Sequence, residues 1–446
     1  MTASLCDRLA KMRFKILYIV DNAAREQLGA YLVKRELELR NCEVHLASRY
    51  VISTAFNMFQ PDLVVLPKLH KVPELNEIAK NAYVALLSAE SFTGSAQTTI
   101  LSYKGFDESN AAVDVRFCWG EFDRDVLARE KLFPSEKLIV TGHPMTDPWY
   151  APNTRKESKK RPIIGIASTI KVLVNAFGER NFVKLVESVE CNRDADGRSI
   201  YFDPPNHAEW WVAFEAAFIR LMINVADRFP QHDIHIRPHP TERASDYLGL
   251  TRTRPNVKIC EGGDIVDWLE GIDILLSYIS TSQIDAFVRG KRVISLKGLF
   301  PDWIIAGLPA RLHLDIDDMF PAPTSLDELE RLIVESQAAP VDAAAKFVRN
   351  VFNFPSERRP SVRIAEALLN FLGDRPPRSA GIKKIAMGPK RRYFQFPNAD
   401  DVLMLMLDAK SLIGSSQSGV SHSYCRHRWQ RNLLILSRAE KLDRFD

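Results

Sequence analysis

Two short stretches carry residues whose types and spacing suit an anionic ligand. The first is "HDIHIRPHPTE", residues 232–242, where an apolar-alternating run ends in Arg237-Pro238-His239-Pro240. Proline fixes φ and biases its predecessor toward extended geometry, so the two prolines stiffen the loop around the imidazole. Histidine can donate to a phosphate or a base edge, and arginine can grip a phosphate with two prongs. A lone histidine usually just satisfies a loop; one bracketed by prolines at the end of a strand points to a ligand. The second stretch, "DILLSYISTSQIDAFVRGKRVISL", reads as strand, hydroxyl-rich turn, helix and strand. Ser280, Thr281 and Ser282 fall at the helix start, where backbone N–H groups lack intrahelical acceptors. One serine suffices for a cap. Three hydroxyls in succession favour a phosphate cradle.

Positioning those residues requires strands that end together on one edge of a sheet. From Lys15 the chain alternates apolar runs ("KILYIV", "EVHLAS", "DLVVLP", "YVALLSA", "VRFCWG", "KLIVTG") with amphipathic stretches. Apolar strands without polar alternation, separated by helices, predict a parallel sheet covered on both faces. The charged segment "YAPNTRKESKKRP" reads as a linker, and "PIIGIAS" opens a second series of the same rhythm. The expected fold class is therefore α/β, with two Rossmann-like doubly wound domains facing a cleft. Expected boundaries are 13–152 and 161–315 for the two domains, 325–372 for helices closing back on them, and 373–446 for a basic extension. Ligands in such folds bind outside the carboxyl ends of the strands. The first turn, "VDNAAREQLG", lacks the glycine pattern of a dinucleotide site, and no phosphate loop with a Walker lysine is present.

The 446 residues carry a formal charge of +4, too small to imply a nucleic-acid partner. The charge is uneven: "RPPRSAGIKKIAMGPKRRYFQF" and "CRHRWQRNLL" make the end of the chain basic. Such clusters are either solvated surface or a contact for anionic lipid headgroups or a phosphorylated acceptor. Cys6, Cys42, Cys118, Cys191, Cys260 and Cys425 are scattered, without metal-ligand spacing, as expected of free thiols in a reducing compartment. The apolar run Phe14–Val20 is too short to span a bilayer and reads as the first core strand. These features predict a cytoplasmic protein, with the basic extension offering peripheral contact with the membrane's inner face.

The segments "IRPHPTE" and "NVKICEGGDIVDWLEGIDILLSYISTSQIDAFVRGKRVISL" resemble the nucleotide-binding half of bacterial surface-carbohydrate glycosyltransferases of the GT-B fold. The β-Kdo transferases of capsule and O-antigen assembly are the members they look like. "FCWGEFDRDVLAREKLFPSEKLIVTGHPMTD" is similar to their first half, and the resemblance covers roughly residues 14–315. It implies that a CMP-activated, Kdo-like sugar is the donor substrate, that no separate cofactor is needed, and that the acceptor is a surface glycan or glycolipid. It also implies that the His-Pro pair, His239 and Pro240, contacts the nucleotide, beside Arg237 and Ser280–Ser282 read above as anion contacts, and that a carboxylate upstream acts as nucleophile with retention.

Asp203 in "SIYFDPPNHAEWW" is the candidate nucleophile, with Glu121 in "WGEFD" or Glu90 in "LLSAESFTG" as acid/base. Asp194 and Asp196 compete with Asp203, which could instead cap the helix after it. "DAD" at 194–196 lies in a polar loop, so a metal-independent mechanism is expected, with the helix start and basic residues replacing the cation. The acceptor loop "LLSAESFTGSAQTTILSYKGFDESN" matches those relatives only at its glutamate and a displaced glycine. Other readings of the same halves are a CDP-polyol phosphotransferase, a sugar-nucleotide epimerase, or a non-catalytic nucleotide-binding assembly protein.

Overall fold

The structure is a computed structural model that describes residues 14–21, 23–69, 72–89, 96–151, 162–169, 207–239, 242, 247–261, 265–306, 315–334, 342–373, 375–378, 381 and 384–385. The chain divides into two compact units, one made of residues 1–152 and 348–446, the other of 153–347. Each is built on a parallel α/β sheet, as the alternation of apolar runs and amphipathic stretches predicts.

Unit 1 has six parallel strands in the order β2-β1-β3-β4-β5-β6. They are β1 (Lys15–Val20), β2 (Glu43–Ser48), β3 (Leu63–Leu66), β4 (Tyr83–Leu87), β5 (Val115–Cys118) and β6 (Leu138–Val140). Alternate residues feed opposite faces, as the period of two dictates. Leu17, Ile19, Val64 and Val84 join Phe56, Phe59 and Ile78 on one face. Ile16, Tyr18, Val65 and Phe117 join the other, beneath Val33 and Leu37 of helix α1 (Ala23–Glu38). Helix α2 (Glu121–Arg129) follows β5.

Unit 2 has five parallel strands in the order β11-β10-β7-β8-β9. These are β7 (Ile164–Ala167), β8 (Ile234–Arg237), β9 (Val257–Ile259), β10 (Ile274–Ser277) and β11 (Arg292–Ser295). Between them run α3 (His207–Arg228), α4 (Ile265–Glu270) and α5 (Ser282–Val288); α6 (Leu326–Val334) follows β11. Phe218, Val225, Ile236, Leu276, Leu329 and Ile333 share one core.

The helices expected as one group over 325–372 divide between the units. Helix α6 packs into unit 2 through Leu329 and Ile333. Helix α7 (Asp342–Phe352) straddles the division, and α8 (Pro360–Leu372) puts Ile364, Ala365, Leu368 and Leu372 into the sheet face that α1 also covers. Asp147 fastens the start of α8, accepting the Ser361 N–H at 3.0 Å and its hydroxyl. Pro360 at the first helical turn needs no acceptor. Burial pushes the Asp147 carboxyl up to about 7 against these bonds.

The basic extension begins pinned to the same unit. Tyr83 donates to the Pro376 carbonyl at 2.8 Å, Arg378 pairs with Asp114, and Asn57 exchanges two hydrogen bonds with buried Ile385. Arg375 lies over the Phe371 ring, 4.2 Å from its centroid. Cys42 and Cys118 are buried free thiols and Cys260 is half-buried, while Cys6, Cys191 and Cys425 lie outside the described residues. Among the described residues, no helix is long and apolar enough to cross a membrane.

The Trp-Gly-Glu sequence acquires a packing role. Trp119 stacks on His143 at 4.1 Å between centroids and meets Phe352 edge-on at 5.8 Å. Its indole N–H donates to the Ser88 carbonyl at 2.7 Å. A Cβ at position 120 would collide with the carbonyls of Asn350 and Val351, so glycine lets the returning chain approach. Gly120→Ala should therefore destabilise unit 1 by about 1–3 kcal/mol, read as a lower urea midpoint for its transition. An unchanged midpoint would show that α7 yields to the methyl group.

Candidate functional site

In unit 2 the chain leaves β7 to build β8 and β9 on one side, then crosses to β10 and β11 on the other. This reversal puts a topological switch point between β7 and β10, where doubly wound sheets bind ligands at their carboxyl edge. The register pairs Ala167 with both Arg237 and Ser277, so the three strands end level. Ser168 and Thr169, His239, and the Tyr278–Ser282 turn are thereby delivered to one edge.

Buried hydrogen bonds tie these strand ends together. His239 opens a closed turn: its carbonyl accepts the Glu242 N–H at 2.8 Å, and its own N–H donates to the Glu242 carboxylate at 3.0 Å. Tyr247 donates to that carboxylate and is hydrogen-bonded to Ser168 Oγ at 2.6 Å. Ser168 also donates its N–H to the Arg237 carbonyl at 2.9 Å. Across the switch point, the Thr169 hydroxyl donates to the Tyr278 carbonyl at 3.1 Å. Glu242, Tyr247, Ser168 and Thr169 are all buried.

On the β10 side the backbone is strained. Ile279 has φ +55°, a left-handed conformation that a β-branched residue adopts only when its surroundings force it. Its N–H donates to both oxygens of Asp317, at 3.4 and 3.3 Å, and the Gln283 amide donates to the same carboxylate. Burial pushes the Asp317 carboxyl up to about 7, against the pull of these donors. The Tyr278 hydroxyl nearby is buried, and desolvation raises its pKa.

The expected site residues are placed unequally. His239 is half-buried at the edge, in the turn that Glu242 closes. Ser280, Thr281 and Ser282 occupy the start of α5, where Ser280 Oγ lies 2.7 Å from Ser282 Oγ and accepts the Ser282 N–H at 3.3 Å. Ser280 thus closes a local turn just before the helix, whose N-cap is Thr281. Arg237 turns to the sheet face under α4, its guanidinium 5.9 Å from the Trp268 centroid. Alternation along β8 sends Ile234 and Ile236 to the core on the opposite face, which is why Arg237 lies there. Glu121 sits half-buried in the first turn of α2, 2.5 Å from Arg124. Pro240, Glu90, Asp203, Asp194 and Asp196 lie outside the described residues. Among the described residues, no three His, Cys, Asp or Glu side chains gather as a metal site.

Sequence reading missed Ser168, Thr169, Tyr247 and Asp317, and took Glu242 only as a polar end to the loop. Ser168 and Thr169 carried a usable signal: they directly follow the first strand of the second series. Tyr247 and Asp317 carried none, because nothing local tells where a distant side chain arrives.

No protein-family model and no curated protein matches this chain. Solved structures similar to it include a UDP-GlcNAc 2-epimerase from Neisseria meningitidis bound to UDP-GlcNAc, 15% identical over 80% of this chain and 100% of that one, with TM-score 0.46. The wall teichoic acid polymerase TagF is 10% identical over 80% of this chain and 88% of its own, with TM-score 0.49. Anabaena HepE, in complex with UDP and glucose, is 11% identical over 81% and 100%, with TM-score 0.41.

Two outcomes test it. Tyr247→Phe should cost about 1–3 kcal/mol in urea unfolding of unit 2, because buried Glu242 loses a donor. Asp317 titrates higher folded than its ordinary 3.8, so its proton favours folding at low pH, and that contribution fades as pH rises through about 7. Asp317→Asn, which keeps an acceptor for Ile279, should therefore gain stability relative to the parent between pH 4 and 7. Parallel pH curves would contradict the shift.

Proposed function

We propose that this protein is a glycosyltransferase with a GT-B-like fold whose second unit binds a nucleotide-activated sugar at the carboxyl edge of β7, β8 and β10. The supporting observation is the hydrogen-bonded tie between those three strand ends, which holds the His239 turn and the Ser280–Ser282 turn on one edge at the switch point. A buried carboxylate fixing the backbone of one turn, and another holding a strained residue in the second, are costly unless rigidity is used.

In transfer, the bond between the sugar's anomeric carbon and the nucleotide phosphate oxygen breaks, and negative charge grows on the departing phosphate. His239 and the hydroxyls of the α5 turn would donate to that charge. The donor is a CMP-activated, Kdo-like sugar, a choice that rests on the resemblance of the Arg-Pro-His-Pro stretch. The acceptor is a surface glycan or glycolipid. Asp203 serves as nucleophile, with Glu121 or Glu90 as acid/base and no metal. The protein works at the inner face of the membrane, and the extension beyond Ile385 supplies the basic contact with anionic lipid.

A thermal-shift panel with CMP, CDP, UMP, UDP and GDP tests the reading. A nucleotide that binds only the folded chain adds about 2.7 kcal/mol at about 100 times its Kd. CMP should give the largest shift, and His239→Ala should remove it. A larger response to UDP would reassign the donor. No response to any nucleotide, or one indifferent to His239→Ala, would end the proposal. Release of free nucleotide and sugar without acceptor would instead mark an epimerase.

A further inference from the structure

Unit 1 has its own switch point, and charged side chains meet there. Its chain builds β2 beside β1 and then crosses to place β3 on the other side, so β1 ends between two strands whose connections diverge. Asp21 follows β1, Arg49 follows β2, and Lys68 lies two residues beyond β3. Arg49 Nε is 2.6 Å from one Asp21 oxygen, and Lys68 Nζ is 2.7 Å from the other. The three side chains are 7% (Asp21), 16% (Arg49) and 12% (Lys68) exposed, so the cluster is largely shielded from water while each member keeps some exposed surface. Tyr50 orients the arginine: its hydroxyl accepts from the guanidinium at 2.7 Å, and its ring lies beneath, 4.7 Å away. Glu26 also faces the cluster, accepting the Asp21 N–H at 3.0 Å.

Holding ionised groups away from water costs free energy that their mutual attraction often only partly returns, and well-packed apolar residues of similar volume often fold as well. The cluster is also spaced for a specific shape. Two cations, one on each side of β1, each take a different oxygen of a single oxyanion. We propose that this is an oxyanion-binding site, in which Asp21 is an internal counter-ion that a phosphate or carboxylate group of a ligand displaces from Arg49 and Lys68. The ligand is distinct from the nucleotide held by unit 2, and the site stands on unit 1 alone.

The test is isothermal titration of the full chain with inorganic phosphate and, separately, with glucuronate. Asp21→Asn removes the internal competitor and should bind the preferred anion about tenfold tighter than the parent, a difference of about 1.4 kcal/mol. Arg49→Met and Lys68→Met each leave Asp21 one cation, so folding is kept, and each should abolish binding. The tighter-binding anion identifies whether the ligand presents phosphate or carboxylate. Binding by Asp21→Asn no tighter than by the parent, binding unaffected by both methionine variants, or no saturable binding by any form would overturn the proposal. Should Asp21→Asn not fold, Lys68→Met decides: lost binding supports the site and unchanged binding removes it. All titrations are repeated with His239→Ala, which separates this site from phosphate held by unit 2.

Discussion

Glu242 is the group on which the candidate site depends. Its carboxylate is buried, accepts from the His239 N–H and from the Tyr247 hydroxyl, and through Tyr247 reaches Ser168 at the end of the neighbouring strand. A buried carboxylate must be surrounded by donors, because the interior cannot replace the water it loses. That demand is met by two groups: the His239 N–H turns to the carboxylate, and Tyr247, just before the helix Leu248–Thr253, brings its hydroxyl to it. The imidazole is held at the edge as a consequence.

Asp317 plays the complementary part across the switch point. Ile279 occupies a conformation that its branched side chain opposes, and the carboxylate captures its N–H together with the Gln283 amide. Each turn is thus organised by an acid, Glu242 within its own turn and Asp317 from further along the chain, and neither acid is among the residues that present themselves to a ligand. Such outer contacts decide how accurately the presenting groups are aimed.

Unit 1 depends on a longer return. Helix α8 fills a sheet face that begins more than three hundred residues earlier, and Asp147 holds its start from the 3-10 helix Pro144–Tyr150 after β6. Gly120 admits the chain on its way back, and Trp119 packs against it. The first residues of the basic extension are then tied down by Tyr83, Asp114 and Asn57. Two of the cations that look available for an outside partner, Arg375 and Arg378, are in contact with the protein's own rings and carboxylate.

The strands, the helices between them and the doubling of the α/β pattern were legible in the chain alone, because burial on both faces imposes continuous apolar runs and helices impose their own period. So was the placement of His239 just past a strand and of Ser280–Ser282 at a helix start, since prolines and hydroxyls at element ends are short-range signals. Tertiary structure decided the rest. It turned Arg237 onto Trp268, where strand alternation required it, and assigned α6 and α8 to different units. It also brought Glu242, Tyr247 and Ser168 together and set Asp317 beneath Ile279. Local pattern states which face a residue prefers; which distant partner satisfies a buried charge is known only when the strands have taken their order and register.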